Sequence, residues 1–319
     1  MRYIIYGAGA IGGSIGARLF QHGHDVSLIC RGPHLEAVQR GGLTLRTPDE
    51  TVTLPITAVG HPSDIDFTPD DVLFLTMKSQ HTAGALDDLR AAAGDVPVIC
   101  AQNGVANERM AARRFSRAYG MLVILPATHL EPGEVLMNAA PIGGVLDAGR
   151  YPAGTDPLIE QVTADLTASG FSALPDANIM RLKYAKLLNN IANAVQALCG
   201  HDAAAGDLVR NVRSEAIACY DAAGIDYTPP AEFRERSTAV TMRQIDGQVR
   251  FGGSSWQSLE RGAGSIETDF LNGEIALLGA LNGVPTTYNR MLQNAANEAV
   301  RDARPAGSYT VDELMAKAC

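Results

Sequence analysis

Several resources that would define a protein class are scarce in this chain. Its five cysteines are scattered over 319 residues without a C-x-x-C pair. Neither a disulfide framework nor a thiolate metal site therefore organises it, and a reducing, cytoplasmic setting is expected. Basic residues are outnumbered 26 to 35, a net charge of −9. With no basic excess to displace counterions from phosphates, nucleic acid is excluded as the expected partner. No apolar run is long enough to span a bilayer, so no membrane partner is expected. The N-terminus lacks a leader pattern, because Arg2 precedes only a few apolar residues before glycine. The seven histidines make no ligand cluster with the cysteines, and no metal is expected. What remains is an ordinary globular composition, 46% hydrophobic and 19% charged, long for one core and comfortable for two.

The chain is organised around its first residues. Arg2-Tyr3-Ile4-Ile5-Tyr6 has the β-branched and aromatic texture of a buried strand and runs directly into Gly7-Ala8-Gly9-Ala10-Ile11-Gly12. This G-x-G-x-x-G run opens a helix that ends near Gln21 and Gly23. Gly7 permits the tight strand-to-helix turn, Gly9 lets a pyrophosphate approach the backbone, and Gly12 lets the helix sit close on the strand. The helix N-terminus offers N–H groups and partial positive charge to phosphates. A second strand, Val26 to Cys30, completes the context. At its end an NAD site would place Asp or Glu to bind the ribose 2′-hydroxyl; here stand Cys30 and Arg31. A guanidinium pairs with a 2′-phosphate that a carboxylate would repel, so the expected cofactor is NADP(H).

Further along, Pro33 to Arg40 reads as a short helix, and Leu43 to Leu45 with Val52 to Leu54 as a small hairpin. Asp71 to Met77 is a near-continuous apolar run, as in a parallel strand buried on both faces, and ends at Lys78. A helix follows over Thr82 to Ala93, then a strand over Val96 to Ala101, then Asn103-Gly104 and a helix over Ala106 to Arg114. Strands at Met121 to Leu125, Glu134 to Met137 and Pro141 to Val145 are expected to be antiparallel and to close the sheet. Thr155 to Ser169 reads as a helix and Phe171 to Leu174 as a strand. Beyond Pro175-Asp176-Ala177-Asn178 only helical patterning continues: Ile179 to Cys199, Leu208 to Ala223, Pro230 to Arg243, Ile266 to Leu281 and Thr287 to Asp302. The expected fold is α/β: an N-terminal Rossmann-type doubly wound sheet over residues 1–177, followed by an all-α C-terminal domain over residues 178–319. Lys78 and Asn103, at strand C-termini, share the ligand-binding rim with Gly7, Gly9 and Arg31.

Chemistry in the second half centres on two stretches. Lys186, Asn190 and Asn193 lie at i, i+4 and i+7 on one helix face, beside an apolar face of Leu187, Leu188, Ile191, Val195 and Leu198. Three asparagines in one helix, Asn189 included, cost about 0.5 kcal/mol each against alanine, and such a breach of local preference points to a site. The other stretch is a Gly- and Ser-rich loop, Gly252 to Ser258, holding Ser255 and the single tryptophan, Trp256. It leads to a helix with Glu267 and Asp269 in its first turn, where acids also complement the helix dipole.

In this order and spacing these pieces resemble the ketopantoate reductase family (2-dehydropantoate 2-reductase) over nearly the whole chain. The matching positions are Gly7-x-Gly9-x-x-Gly12 with Arg31, Lys78, Asn103-Gly104, Lys186 with Asn190, Ser255, and Glu267-x-Asp269-x-x-Asn272-Gly273. The resemblance implies NADPH-dependent reduction of a 2-oxo acid, ketopantoate to pantoate in pantothenate biosynthesis. Lys186 would be the general acid and Glu267 would hydrogen-bond the reacting oxygen. Asn103, Asn190 and Asn193 would position the substrate, Ser255 its carboxylate, and Lys78 would touch the nicotinamide side. Two places differ from the family pattern. Ala194 stands where a second asparagine is common, and Ser255-Trp256-Gln257 replaces Ser-Met-Leu. The alternatives are a reductase of the same family for another 2-oxo or imino acid, and a non-catalytic NADP(H)-binding sensor. The alanine- and leucine-rich helices at 266–281 and 287–302 offer a homodimer surface or the second domain's own core.

Overall fold

Strand β1 (Arg2–Tyr6) encloses Tyr3, Ile4 and Ile5 completely. In a computed structural model that describes residues 1–200, 203, 206–245, 252–262 and 264–318, it leads into α1 (Ala10–Gln21), β2 (Asp25–Ile29) and α2 (Gly32–Gly41). The hairpin β3 (Leu43–Arg46) and β4 (Thr51–Leu54), β5 (Thr57–Val59), β6 (Asp71–Leu75), α3 (Thr82–Ala93) and β7 (Val98–Cys100) follow. Next come α4 (Asn107–Ala112), β8 (Ala118–Met121), β9 (Ala127–Thr128), β10 (Glu134–Met137), β11 (Ala148–Arg150) and α5 (Pro157–Ala168). The helices after these are α6 (Ile179–Asn190), α7 (Asn193–Cys199), α8 (Asp207–Ala223), α9 (Pro230–Ser237), α10 (Ser254–Glu260), α11 (Asn272–Asn282), α12 (Thr287–Arg301) and α13 (Val311–Lys317).

The chain divides into two compact units that are each discontinuous in sequence. Met1–Asn103, Asn107–Lys183 and Pro229–Arg250 form the first; Gly104–Ala106, Tyr184–Thr228 and Phe251–Cys319 form the second.

The first unit holds a seven-stranded sheet in the order β11-β8-β7-β6-β1-β2-β5. All its pairs are parallel except β11 on β8. The order reverses at β1, which passes to β2 on one side and has β6 on the other, and at such a switch point doubly wound sheets open their ligand crevice. Both faces are covered. Tyr3, Ile5 and Phe74 join the core under α1 and α5, while Ile4, Leu73 and Leu75 join Leu86 and Leu89 of α3 and Ala111 of α4. That alternation is the period of two of a strand buried on both sides.

Four strand expectations differ from the structure. Met121–Leu125 is not a closing antiparallel strand: Met121 ends β8, which runs parallel to β7 within the sheet, and beyond it Ile124 makes only an isolated bridge. Glu134–Met137 does not close the main sheet; it enters a second, four-stranded sheet in the order β4-β3-β10-β9, parallel to β3 and antiparallel to β9. The antiparallel closing strand is Ala148–Arg150. Residues 141–145 and 171–174 make only isolated bridges, Val145 to Ser172 and to Ile124. The first segment packs closely on its neighbours: a side chain at Gly143 would meet Met137 and one at Gly144 the Ile124 carbonyl.

Helical expectations hold for Thr82–Ala93, and those for α2, α5, α8 and α12 are right to a few residues. Ile179–Cys199 is not one helix but α6 and α7, interrupted at Ile191 and Ala192. Ile266–Leu281 begins as a 3₁₀ turn, Glu267–Phe270, before α11, and the helix expected over Pro230–Arg243 stops at Ser237. The expected loop around Trp256 is instead α10. Cys30, Cys100, Cys199 and Cys219 are free thiols; Cys319 lies outside the described residues.

The glycine loop separates packing from ligand access. A side chain at Gly12 would lie 2.8 Å from Ile5 Cγ2 and press on Thr76 and the Gly7 carbonyl, whereas at Gly9 nothing lies within 4 Å. Gly12→Ala is expected to lower the unfolding free energy by about 1–3 kcal/mol through overpacking. Gly9→Ala should cost no more than about 1 kcal/mol, the loss of a better N-cap residue without overpacking, and urea unfolding of both variants checks the contrast.

Candidate active site

The expected rim residues of the first unit do meet at one edge. Because β1, β2, β6 and β7 run parallel, their C-terminal ends, and so Gly7, Arg31, Lys78 and Asn103, follow one another along the same side of the sheet. Gly7 has φ +105 and its Cβ position lies 2.8 Å from the Met77 nitrogen, so only glycine fits there. Its N–H donates to the Ile29 carbonyl at 2.9 Å. From the end of β6 the Thr76 hydroxyl reaches the Tyr6 and Gly7 carbonyls at 2.9 and 2.8 Å. The strand-to-helix turn is thus pinned from both neighbouring strands.

In α1 the first intrahelical bond runs from Gly13 N–H to the Gly9 carbonyl at 2.7 Å. The N–H groups of Ala10, Ile11 and Gly12 precede it, and no acid stands in the first turn. Open space above Gly9 beside those donors and the helix dipole is what a pyrophosphate requires. A dinucleotide therefore fits the residues present. Arg31 is exposed at the N-cap of α2, two residues beyond the end of β2. Lys78 precedes the 3₁₀ turn Ser79–His81. Burial first, then the charges of Arg31 and Lys78, hold the His81 imidazole below its ordinary pKa. Both cations are therefore close enough to bias one ring.

Asn103 stands at the end of β7. Its carbonyl accepts from Asn107 Nδ2 at 3.0 Å, while its side-chain oxygen is buried without a hydrogen bond among the described residues. An orphan acceptor of this kind is costly unless a ligand meets it. Behind it lies a network that the sequence reading missed. Gln102 Nε2 donates to the Met77 carbonyl at 2.7 Å and Thr82 Oγ1 at 2.8 Å. Thr82 donates to Asn107 Oδ1 at 2.8 Å, and Asn107 Nδ2 reaches Ser79 Oγ at 3.0 Å.

Lys183 was also missed. Its ammonium lies 2.8 Å from Glu108 Oε1, with side chains 2% and 0% exposed, and donates to the Gln102 and Met121 carbonyls at 2.7 and 3.1 Å. A sequence signal existed: Ile179, Lys183 and Leu187 are spaced by four and all buried, so the lysine interrupts an apolar stripe. Burial raises the Glu108 carboxyl above its usual range, and the ammonium opposes that shift. The Cys100 thiol is pushed well up by burial and by Glu108, which leaves it unreactive.

In the second unit Lys186 and Asn190 occupy successive turns of α6, and Lys186 is half-buried. Asn190 is 9% exposed and its side-chain oxygen is buried without a hydrogen bond among the described residues. Asn193 does not share their helix: it opens α7 after the break, so the i+7 relation to Lys186 lapses. It sits instead near the start of α10, with Oδ1 3.6 Å from the Cβ position of Gly253. There Gln196 Oε1 also accepts the Gly253 N–H at 2.8 Å. Ser255, 2% exposed, is the second residue of α10. Trp256 turns its ring onto Gly307, 3.6 Å from that glycine's Cβ position. Glu267, 6% exposed, begins its 3₁₀ turn. Asp269 accepts from Gln293 and Asn297 of α12 at 2.7 and 2.8 Å, a structural use. No group of three His, Cys, Asp or Glu suited to a metal occurs among the described residues, and none of their helices is long and apolar enough to cross a membrane.

A doubly wound sheet with a glycine turn at its switch point, joined to a helical second unit, defines the class: an α/β protein with the dinucleotide-binding type of fold. Within that class the family model described as "Ketopantoate reductase PanE/ApbA" matches residues 3–150, and its C-terminal counterpart matches residues 178–300. The chain belongs to the ketopantoate reductase family, a family of oxidoreductases. It is 28% identical to the 2-dehydropantoate 2-reductase of Pyrococcus horikoshii, over 92% of this chain and 95% of that one. It is also 28% identical to the Archaeoglobus fulgidus enzyme of that name, over 92% and 96%. Among solved structures, a PanE/ApbA family ketopantoate reductase from Ralstonia eutropha JMP134 superposes with a TM-score of 0.80 at 26% identity, covering 95% of this chain and 100% of that one. A D-mandelate dehydrogenase with NADH and anilino(oxo)acetate shares the fold, with a TM-score of 0.81 at 22% identity over 95% and 99%.

The buried ion pair yields a stability prediction. Lys183→Met removes the cation that offsets the burial of the Glu108 carboxylate, a loss of about 3–5 kcal/mol. Adding Glu108→Gln should recover part of that loss. Denaturant unfolding of the single and double variants measures the recovery.

Proposed function

We propose that the protein reduces a 2-oxo acid to the 2-hydroxy acid with NADPH, ketopantoate to pantoate being the reaction of choice. The observation that carries this reading is the sheet edge where the glycine turn, Arg31, Lys78 and Asn103 follow one another, in a chain of this family. Arg31 stands where an acid would select NAD, and its guanidinium is suited to a 2′-phosphate. The Ala10, Ile11 and Gly12 N–H groups hold the pyrophosphate at the N-terminus of α1. Lys78 takes the nicotinamide side. The cofactor, when bound, supplies the hydride. Lys186 gives its proton to the carbonyl oxygen, where negative charge would otherwise build up, and Glu267 hydrogen-bonds that oxygen. Asn103, Asn190 and Asn193 orient the substrate by their amides, and Ser255 binds its carboxylate. The functional division of the chain is taken at 177/178, in keeping with family matches that end at 150 and resume at 178. A cytoplasmic setting belongs to the same proposal.

A second reading, a different 2-oxo acid, is favoured by one observation. Ala194, 2% exposed, stands where the family pattern commonly has an amide, and the amide is displaced by one residue to Asn193, which would reshape the substrate pocket. A panel of 2-oxo acids with NADPH, followed by loss of nicotinamide absorbance, ranks the substrates. The expected order has ketopantoate first, and no turnover on any of them would leave a cofactor-binding sensor. Lys186→Ala should lower kcat at least about a hundredfold; unchanged turnover would remove the lysine from the mechanism. Arg31→Ala should raise KM for NADPH about tenfold or more while leaving KM for NADH nearly unchanged, measured side by side.

A further inference from the structure

His34 lies outside every role described so far. It sits in the first turn of α2, three residues beyond Arg31, and is 9% exposed. Its Nδ1 accepts the Gly133 N–H at 2.9 Å. That nitrogen therefore carries the lone pair, and Nε2 carries the hydrogen, which it donates to the Ala8 carbonyl at 2.8 Å. Ala8 is the second residue of the glycine run and is 1% exposed. The peptide that joins it to Gly9 is held at both ends, its carbonyl by His34 and its N–H by the Gly7 carbonyl at 2.7 Å. Gly133 is anchored in turn, since its carbonyl accepts from Thr44 of β3 at 2.8 Å.

We infer that His34 is a positioning residue for the cofactor, fixing the glycine turn to the start of α2 and so setting the spacing between the pyrophosphate donors and Arg31. One ring joins three segments by two hydrogen bonds of opposite sense: the glycine turn, the helix that presents Arg31, and the turn before β10. This inference rests on the NADP(H) reading of the rim. It concerns a residue that would touch no cofactor atom itself.

The arrangement needs a neutral ring. A second proton on Nδ1 would face the Gly133 N–H, donor against donor, and one of the two bonds would have to break. Burial, followed by the facing His129, holds the imidazole down at about 4. His129 packs edge-on with ring centroids 4.3 Å apart and bonds the Glu134 carbonyl through Nδ1 at 2.9 Å. The Glu134 carboxylate turns to Arg46 at 3.7 Å. Folding thus lowers the His34 pKa from the ordinary 6.5. The unfolded chain then binds the proton first, so this stabilisation is complete above about pH 6.5 and is lost as pH falls towards about 4.

Two shape-matched variants test the inference. Glutamine offers an N–H donor and a carbonyl acceptor on a chain of similar reach; methionine offers neither. NADPH is titrated by fluorescence at pH 7.5, and urea midpoints are measured from pH 4 to 7.5. His34→Met is expected to weaken NADPH binding about tenfold, the scale for losing a buried hydrogen-bonding group, and His34→Gln to stay within about threefold of the wild type. Both should lose part of the fall in urea midpoint between pH 6.5 and 4. Wild-type affinity in the methionine variant, or glutamine no better than methionine, would overturn the proposal while leaving the cofactor reading intact. If methionine at this site prevents folding, the glutamine variant decides alone: weakened NADPH binding there overturns it. A wild-type protein that binds no NADPH at pH 7.5 defeats both readings together.

Discussion

The first unit depends on how closely α1 lies against the end of β1. Gly7 turns the chain in a conformation that other residues avoid, 2.8 Å from the Met77 backbone, and Gly12 lets α1 rest on Ile5 and Thr76. Thr76 spends its hydroxyl on the carbonyls of that same turn. Gly16 continues the contact, since a side chain there would press on Leu28 at 2.9 Å. Any bulkier residue along this seam would lift the helix from the sheet, and the N–H groups at its start would lose their aim. The ligand edge of the molecule is thus a by-product of tight packing beneath it.

A second support lies along the same edge, built of polar groups that are nearly all inside. Ser79, Thr82, Gln102 and Asn107 are each no more than 5% exposed and bond one another or the backbone between the ends of β6 and β7. Lys183 adds two backbone carbonyls and the Glu108 carboxylate. In a low-dielectric interior such a network is rigid when satisfied and costly when broken. It holds the turn that carries Asn103, whose own side-chain oxygen is left over. Gln102 Oε1 is likewise buried without a hydrogen bond among the described residues, so two amide oxygens at this edge stand without one.

The second unit shows a similar economy. At the break between α6 and α7 the Ile191 carbonyl accepts from Asn272 Nδ2 at 3.0 Å. Asn272 also bonds Asn289 at 3.1 Å. Asn289 is fully buried and gives its amide to Glu215 at 2.8 Å and the Val212 carbonyl at 3.0 Å. The Glu215 carboxylate also accepts the Tyr288 and Asn289 N–H groups at 2.9 Å each, so it caps α12. Asn272 and Asp269, which belong to the family pattern, thus serve the packing of this unit.

What the sequence by itself determined was local. The glycine spacing, the arginine after the second strand, the apolar run at 71–77 and the alternation of strands with helices each act through neighbours a few residues away, and each reappears in the fold. The closing strands near 121–145, the unbroken helix over 179–199 and the loop around Trp256 did not. Strand pairing there depends on partners that lie far away in sequence, as for β10 beside β3, and no local pattern specifies it. Only tertiary structure put His34 against Ala8 and Gly133 and buried Lys183 on Glu108. A hydrogen bond or ion pair between residues about a hundred positions apart, like His34 to Gly133, leaves no periodic trace in the chain; it exists because packing brings the groups together and excludes the water that would otherwise compete for them.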